Sequence, residues 1–258
     1  MSFLATALLS LVEGITEFLP VSSTGHLILT SSLLGLPQTE AQKSFEIAIQ
    51  MGAILAVIVL YGKTLLRDQK TILLVGIAFI PTAIIGLAVH GFAKRVLLGN
   101  VPVVLWSLFL GGIVLMVFEN MIPKNKKSME IKDMSYAQAA IVGVCQSLAI
   151  IPGVSRSAAT IVGGEFLGLR RAAIVEFSFL LAIPTMAAAT GLDLVKSASL
   201  FTLSDVQSIA TGFILSFVVA LVAVRWFIEY VKNHSFAAFG VYRILLACIF
   251  WIWIIRNP

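Results

Sequence analysis

Residues 13–26 read EGITEFLPVSSTGH, and the reading of that stretch decides the fold. Two carboxylates, a run of three hydroxyls, an imidazole and a proline interrupt a segment otherwise built from Leu, Ile, Val and Ala. The rest of the chain says what surrounds them. Of 258 residues, 59% are hydrophobic and only 12% are charged, with a mean hydropathy of +1.01. Soluble domains carry about 25% charged residues, so this chain has too little polar surface to coat a core of its size. It reads as an all-α polytopic membrane protein, and the polar groups of 13–26 lie in oil.

Six segments supply the roughly 20 apolar residues that a span requires: 44–62, 71–91, 101–122, 172–192, 207–227 and 237–255. Two further apolar regions, 3–36 and 137–169, are broken near their middles by LPVSSTGH and IPGVSRSAAT. Proline with adjacent hydroxyls ends a helix, and each half is too short to cross. Broken backbone survives inside a bilayer only when buried in protein or lining a wet cavity. Both regions therefore read as re-entrant helical hairpins.

The two hairpins also align with each other. Residues 12–36 laid over 145–169 without gaps match Val21 with Val154, Ser22 with Ser155 and Ile28 with Ile161. Leu34-Gly35-Leu36 then falls on Leu167-Gly168-Leu169, and Glu13 falls on Gln146. Each hairpin precedes three spans, which gives two repeats, 1–122 and 137–258, joined by a basic linker at 123–136. Three spans is an odd number, so the second repeat starts on the opposite side and the repeats are inverted. Their hairpins then meet near the midplane. The side holding 63–70, 124–132, 170–171 and 225–232 carries eleven Lys and Arg, against five on the side of the termini. By the positive-inside rule, the termini and the first hairpin's entry face outward, and the linker faces the cytoplasm. Lys124, Lys126 and Lys127 read as a solvated cytoplasmic loop.

Other features exclude other classes. The net charge of +5 arises from basic residues at span ends and not from a stripe, so no nucleic-acid partner is implied. Cys145 and Cys248 lie in apolar segments and read as buried hydrophobes, with neither disulfide nor metal-ligand spacing. The first basic residue is Lys43, so the opening segment lacks the basic region of a secretory leader and reads as part of the fold.

The interrupted stretches carry the chemistry. Glu13 and Glu17 are four apart and share a helix face; two like charges there want a cation, and an oxygen-only pair suits Mg²⁺ or Ca²⁺. Ser22, Ser23 and Thr24 follow Pro20, where a second half-helix starts. Its N–H groups with these hydroxyls make an anion cradle, although plain capping uses the same residues. His26, one turn after Ser23, suits a general base or proton shuttle. The second hairpin repeats the setting with Ser155, Arg156, Ser157 and Thr160. An arginine at this depth wants an anion, either phosphate oxygens gripped by its planar fork or Glu13 or Glu17. Glu46, Glu176 and Arg243, also within spans, read as structural ion pairs. A cation site, an anion cradle and a nucleophile inside lipid fit a phosphorylated substrate with a hydrophobic tail.

EGITEFLPVSSTGH and PGVSRSAAT resemble the two signature motifs of the bacterial undecaprenyl-diphosphate phosphatase family of the bacitracin-resistance type. The likeness extends to FEIAIQMGAILAV at 45–57 and EFSFLLAIP at 176–184. It implies a multi-pass enzyme of the bacterial plasma membrane, with its active site facing the periplasm or exterior. The implied reaction is hydrolysis of the C55 isoprenoid diphosphate to monophosphate and phosphate, which recycles the lipid carrier of peptidoglycan synthesis and confers bacitracin resistance. It further implies a polyprenyl diphosphate substrate, a divalent cation and Ser23 at the nucleophile position; a homodimer is compatible with it. The competing reading from architecture is a lipid-phosphate flippase or secondary transporter that uses the same midplane site.

Overall fold

The computed structural model describes residues 1–37, 39–97, 99–121, 129–197 and 203–256. Regular structure among them is helical. The elements are α1 (Phe3–Thr16), α2 (Ser23–Leu33), α3 (Glu40–Arg67), α4 (Gln69–Phe92), α5 (Val101–Met121), α6 (Tyr136–Ser147), α7 (Arg156–Phe166), α8 (Arg171–Ser197), α9 (Leu203–Asn233) and α10 (Ala237–Arg256). The six helices α3–α5 and α8–α10 contain the six stretches long and apolar enough to cross a membrane, from Ser44–Lys63 to Ala237–Arg256. Their positions agree with the six expected from the sequence.

The four remaining helices are 14, 11, 12 and 11 residues long. At about 1.5 Å per residue none spans a hydrocarbon core of ~30 Å. α1 packs on α2, and α6 packs on α7, as two hairpins. The turns inside them correspond residue by residue. Ser22 and Ser155 are the non-glycine residues with positive φ among the described ones, at 72° and 79°. Each uses its hydroxyl to cap the helix that follows, accepting from Gly25 N in one and Ala158 N in the other. Each following helix runs 11 residues and closes on a glycine of positive φ, Gly35 or Gly168.

Packing carries both hairpins into the centre. α1 lies on α9 much as α6 lies on α4, while α3 meets α8 and α5 meets α10. Phe18, Leu19 and Val21 of the first break share one apolar cluster with Ala158 and Ile161 of the second, and with Phe177, Phe179 and Phe227. The two breaks approach closely because of glycine. A Cβ on Gly25 would sit 3.4 Å from Gly153 Cα. Gly153 has φ +94°, and a Cβ there would meet Val104 O and Ser107 Cβ at 2.7 Å. Beyond the linker residues 122–128, which lie outside the described residues together with Lys124, Lys126 and Lys127, Met129 bonds the end of the second hairpin through Gly168 O and Arg170 N.

Candidate functional site

The N-termini of α2 and α7 open onto one cavity of about 180 Å³. That is smaller than the roughly 300–1,000 Å³ that encloses a drug-sized ligand, which leaves room for a small polar group and not for a long apolar tail. Glu17, Ser22, Ser23 and Thr24 line it from the first hairpin, and Gly153, Ser155 and Arg156 from the second. Two capped helix ends thus aim free N–H groups at the same space, which favours an anion.

Three side chains form its polar centre. Ser23 Oγ donates to Glu17 Oε2 at 2.5 Å. The other oxygen, Glu17 Oε1, accepts from Arg156 Nη2 at 3.2 Å. Arg156 Nη1 donates to Ser178 O at 2.8 Å, so α8 fixes the guanidinium, while Nε has no hydrogen-bond partner. Phe18, next to Glu17, stacks edge-on against Phe179, next to Ser178, with ring centroids 5.1 Å apart. One carboxylate therefore accepts both from the Ser23 hydroxyl and from the Arg156 guanidinium.

Four expected site residues sit elsewhere. His26 is not among the cavity's lining residues. Its Nδ1 lies 2.8 Å from Ser22 O and its Nε2 2.7 Å from Tyr242 OH, with the two rings stacked. Nδ1 must donate to that carbonyl, so Nε2 accepts from the tyrosine and neither nitrogen reaches Ser23. Ser157 Oγ donates to Leu19 O at 2.7 Å, leaving Ser155 as the donor in their 3.1 Å contact. This bond joins the hairpins. Thr160 Oγ1 lies 3.0 Å from the carbonyls of Arg156 and Ser157 and 2.7 Å from Ser178 Oγ, behind the arginine. Both hydroxyls face protein because their positions on α7 turn them inward.

Glu13, one turn before Glu17, is fully buried and does not line the cavity. Both of its carboxylate oxygens lack a hydrogen-bond partner. A buried carboxylate in that condition requires a cation or a proton, so the residue fits one side of a divalent-cation site, with Glu17 as its neighbour. Among the described residues no third His, Cys, Asp or Glu joins them.

Gln50, Thr82, Gln146 and Thr185 also line the cavity, and sequence reasoning did not assign them. Gln146 Nε2 donates to Thr82 Oγ1 and to Thr185 Oγ1, both at 3.0 Å. Their signal was available: Gln50, Thr82 and Thr185 are polar residues inside apolar spans, and Gln146 stands beside Ser147 in the apolar first half of the second hairpin. Of the three intramembrane charges read as ion pairs, Arg243 bonds main-chain carbonyls instead. Glu46 Oε1 accepts from Ser31 Oγ at 2.9 Å and Gln42 Nε2 at 3.0 Å.

Comparison with known proteins follows the same lines. A family model described as bacitracin resistance protein BacA matches residues 6–249. The chain is similar to an undecaprenyl-diphosphatase of Aquifex aeolicus, 49% identical over 242 residues that make up 94% of each chain. It is similar to one of Sulfurihydrogenibium sp. at 48% identity, covering 98% of this chain and all of the relative. One of Thermus thermophilus is 47% identical over 96% of both.

Proposed function

Because the chain belongs to the bacitracin resistance protein BacA family, we propose that it hydrolyses undecaprenyl diphosphate to undecaprenyl phosphate and inorganic phosphate, through Ser23. The observation that carries the serine route is the Ser23–Glu17–Arg156 chain at the mouth of two opposed half-helices. The diphosphate enters the cavity and the isoprenoid stays in the bilayer. Arg156 and the helix ends meet the charge on the transferred phosphoryl group, the main task in such reactions. Ser23 Oγ attacks the terminal phosphorus, its proton passing to Glu17 Oε2. An Oγ–P bond forms, the bridging P–O bond breaks, and undecaprenyl phosphate departs with the bridging oxygen, taking the proton from Glu17. Water then attacks the phosphoserine, Glu17 accepting its proton and returning it to Ser23 as phosphate leaves.

Glu13 and Glu17 would hold a divalent cation, which when bound supplies further neutralisation of phosphate charge. His26 serves the turn: it anchors Ser22 O and keeps the strained cap in place. In the rival route an activated water attacks directly and Ser23 only orients it.

The hairpins enter from opposite faces in two inverted repeats, 1–122 and 137–258, with the cavity open to the periplasm or exterior. The alignment of the two turns and the eleven-to-five distribution of Lys and Arg support this orientation. Placing a single cysteine at Lys132 in a cysteine-free background tests it. A membrane-impermeant reagent should leave that cysteine unlabelled in intact cells; efficient labelling would reverse the topology.

The activity itself is tested on purified protein in detergent, by phosphate released from undecaprenyl diphosphate. A flippase would bind the lipid in micelles and release none. Ser23→Ala in the same assay separates the two routes, since only the serine route forms a phosphoenzyme.

A further inference from the structure

The largest fully buried side chain among the described residues has no part in the cavity's lining. Arg243, in α10, is 0% exposed. A guanidinium carries five N–H donors, and all five are committed to main-chain carbonyls. Nε donates to Leu108 O at 3.4 Å, Nη1 to Pro20 O at 3.2 Å and to Val154 O at 3.0 Å, and Nη2 to Ser107 O at 3.0 Å and to Gly153 O at 2.7 Å.

Three of these carbonyls belong to the two hairpin breaks. Pro20 and Gly153 are counterparts in the alignment that pairs Ser22 with Ser155. One fork therefore holds equivalent points of both turns and ties them to α5. The fold makes room for it: a Cβ on Gly111 would lie 2.1 Å from Arg243 Nη2. Burying a cation at this depth is costly, and here carbonyl dipoles converge to offset that cost. A lysine has three donors on a point-like head and cannot reproduce the planar set.

We propose that Arg243 is a positioning residue for phosphoryl transfer, which sets the separation of Ser23 on one hairpin from Arg156 on the other. It does not line the cavity, so it acts through the breaks and not on substrate. The inference rests on the phosphatase function and on the roles given to Ser23 and Arg156.

The test measures kcat and KM for undecaprenyl diphosphate in the wild type, Arg243→Lys and Gly111→Ala, with thermal melts alongside. A misplacement of about 1 Å can cost about 10²-fold in rate. Arg243→Lys is expected to lower kcat by about 10–100-fold, with KM changed by less than about threefold. Gly111→Ala, which keeps the arginine but displaces its fork, should move kcat in the same direction. Arg243→Lys combined with Arg156→Lys should lose less than the product of the single losses, because both act on one alignment. A folded Arg243→Lys with wild-type kcat, or strictly multiplicative losses, would overturn the role. Failure of both single variants to fold would overturn it too, by showing that Arg243 only builds the bundle. Wild-type protein that releases no phosphate would sink the function itself, a result distinct from any of these.

Discussion

At Ser22 and at Ser155 the chain makes the same turn, with φ of 72° and 79° and a hydroxyl cap on the third residue beyond. The residue that follows the turn is Ser23 in one hairpin and Arg156 in the other. The divergence continues at matched positions: Glu17 faces Ile150, His26 faces Ala159, and Glu13 faces Gln146. The amide nitrogen of Gln146 finds two threonine hydroxyls, while its oxygen, like both oxygens of Glu13, has no hydrogen-bond partner. The turn needs only a capping hydroxyl and small neighbours, and both hairpins meet that requirement. What projects from the turn is free to differ. In the proposed mechanism one hairpin supplies the nucleophile and carboxylates, and the other supplies the cation.

The division breaks most sharply at Glu17, which touches both halves. Glu17→Gln removes the proton acceptor of Ser23 and the anion facing Arg156. A positioned acid–base group is worth about 10²–10⁴-fold, so phosphate release should fall by about that much. A folded Glu17→Gln with near-normal turnover would mean that Ser23 gives its proton to another group.

On the second hairpin the corresponding change is Arg156→Lys. One preorganised contact to developing charge is worth about 10²–10³ in turnover, and an ammonium keeps the charge but loses the fork. The expected loss lies in that range, with Ser178 O left short of a donor. Near-wild-type phosphate release by a folded Arg156→Lys would remove the clamp from the mechanism.

Glu13→Gln makes the first hairpin resemble the second. If Glu13 holds a divalent cation, its loss should weaken cation affinity by at least the ~10–100-fold typical of a lost supporting ligand. The direct readout is the rise in melting temperature on adding Mg²⁺ or Ca²⁺, which follows binding by mass action. An unchanged cation-dependent melt would take Glu13 out of the site and leave its carboxyl protonated.

These residues also mark where the sequence was legible. The six spans were readable because each stays predominantly apolar over 20 residues or more, despite isolated groups such as Glu46, Glu176 and Arg243. The two turns were readable because Pro20 and Pro152 coincide with clusters of hydroxyls that break the apolar pattern. Pro81 and Pro184, each followed by a single Thr in an apolar run, instead continue α4 and α8. Inside the turns, spacing gives a shared face but not what packs against it. Ser157 and Thr160 sit at helix positions that serve phosphate only if α7 faces the cavity with them; Leu19 O and Ser178 meet them instead. His26 is one turn from Ser23, yet its partner is Tyr242, 216 residues away. Arg243 was expected to find a carboxylate and finds carbonyls from both breaks, a pairing visible only once the hairpins meet.

The smallest expected effects test whether the two turns are held in the same way. A positive φ strains any residue with a Cβ by about 1–2 kcal/mol. Ala keeps that strain and loses the cap, while Gly relieves the strain and forgoes only the cap. Replacing a capping hydroxyl by Ala costs about 0.5–2 kcal/mol, and by Gly only a few tenths. Ser155→Ala should therefore lower the melting temperature in a fixed detergent, and Ser155→Gly should leave it close to wild type. The Ser22 pair should show the same order with a smaller gap. There the His26 ring holds Ser22 O as a second anchor, and Ala159 offers the second turn none. If Gly proved worse than Ala at either position, relief of the positive φ would not be what sets the order of the variants. Equal gaps at the two positions would remove His26 from its anchoring role.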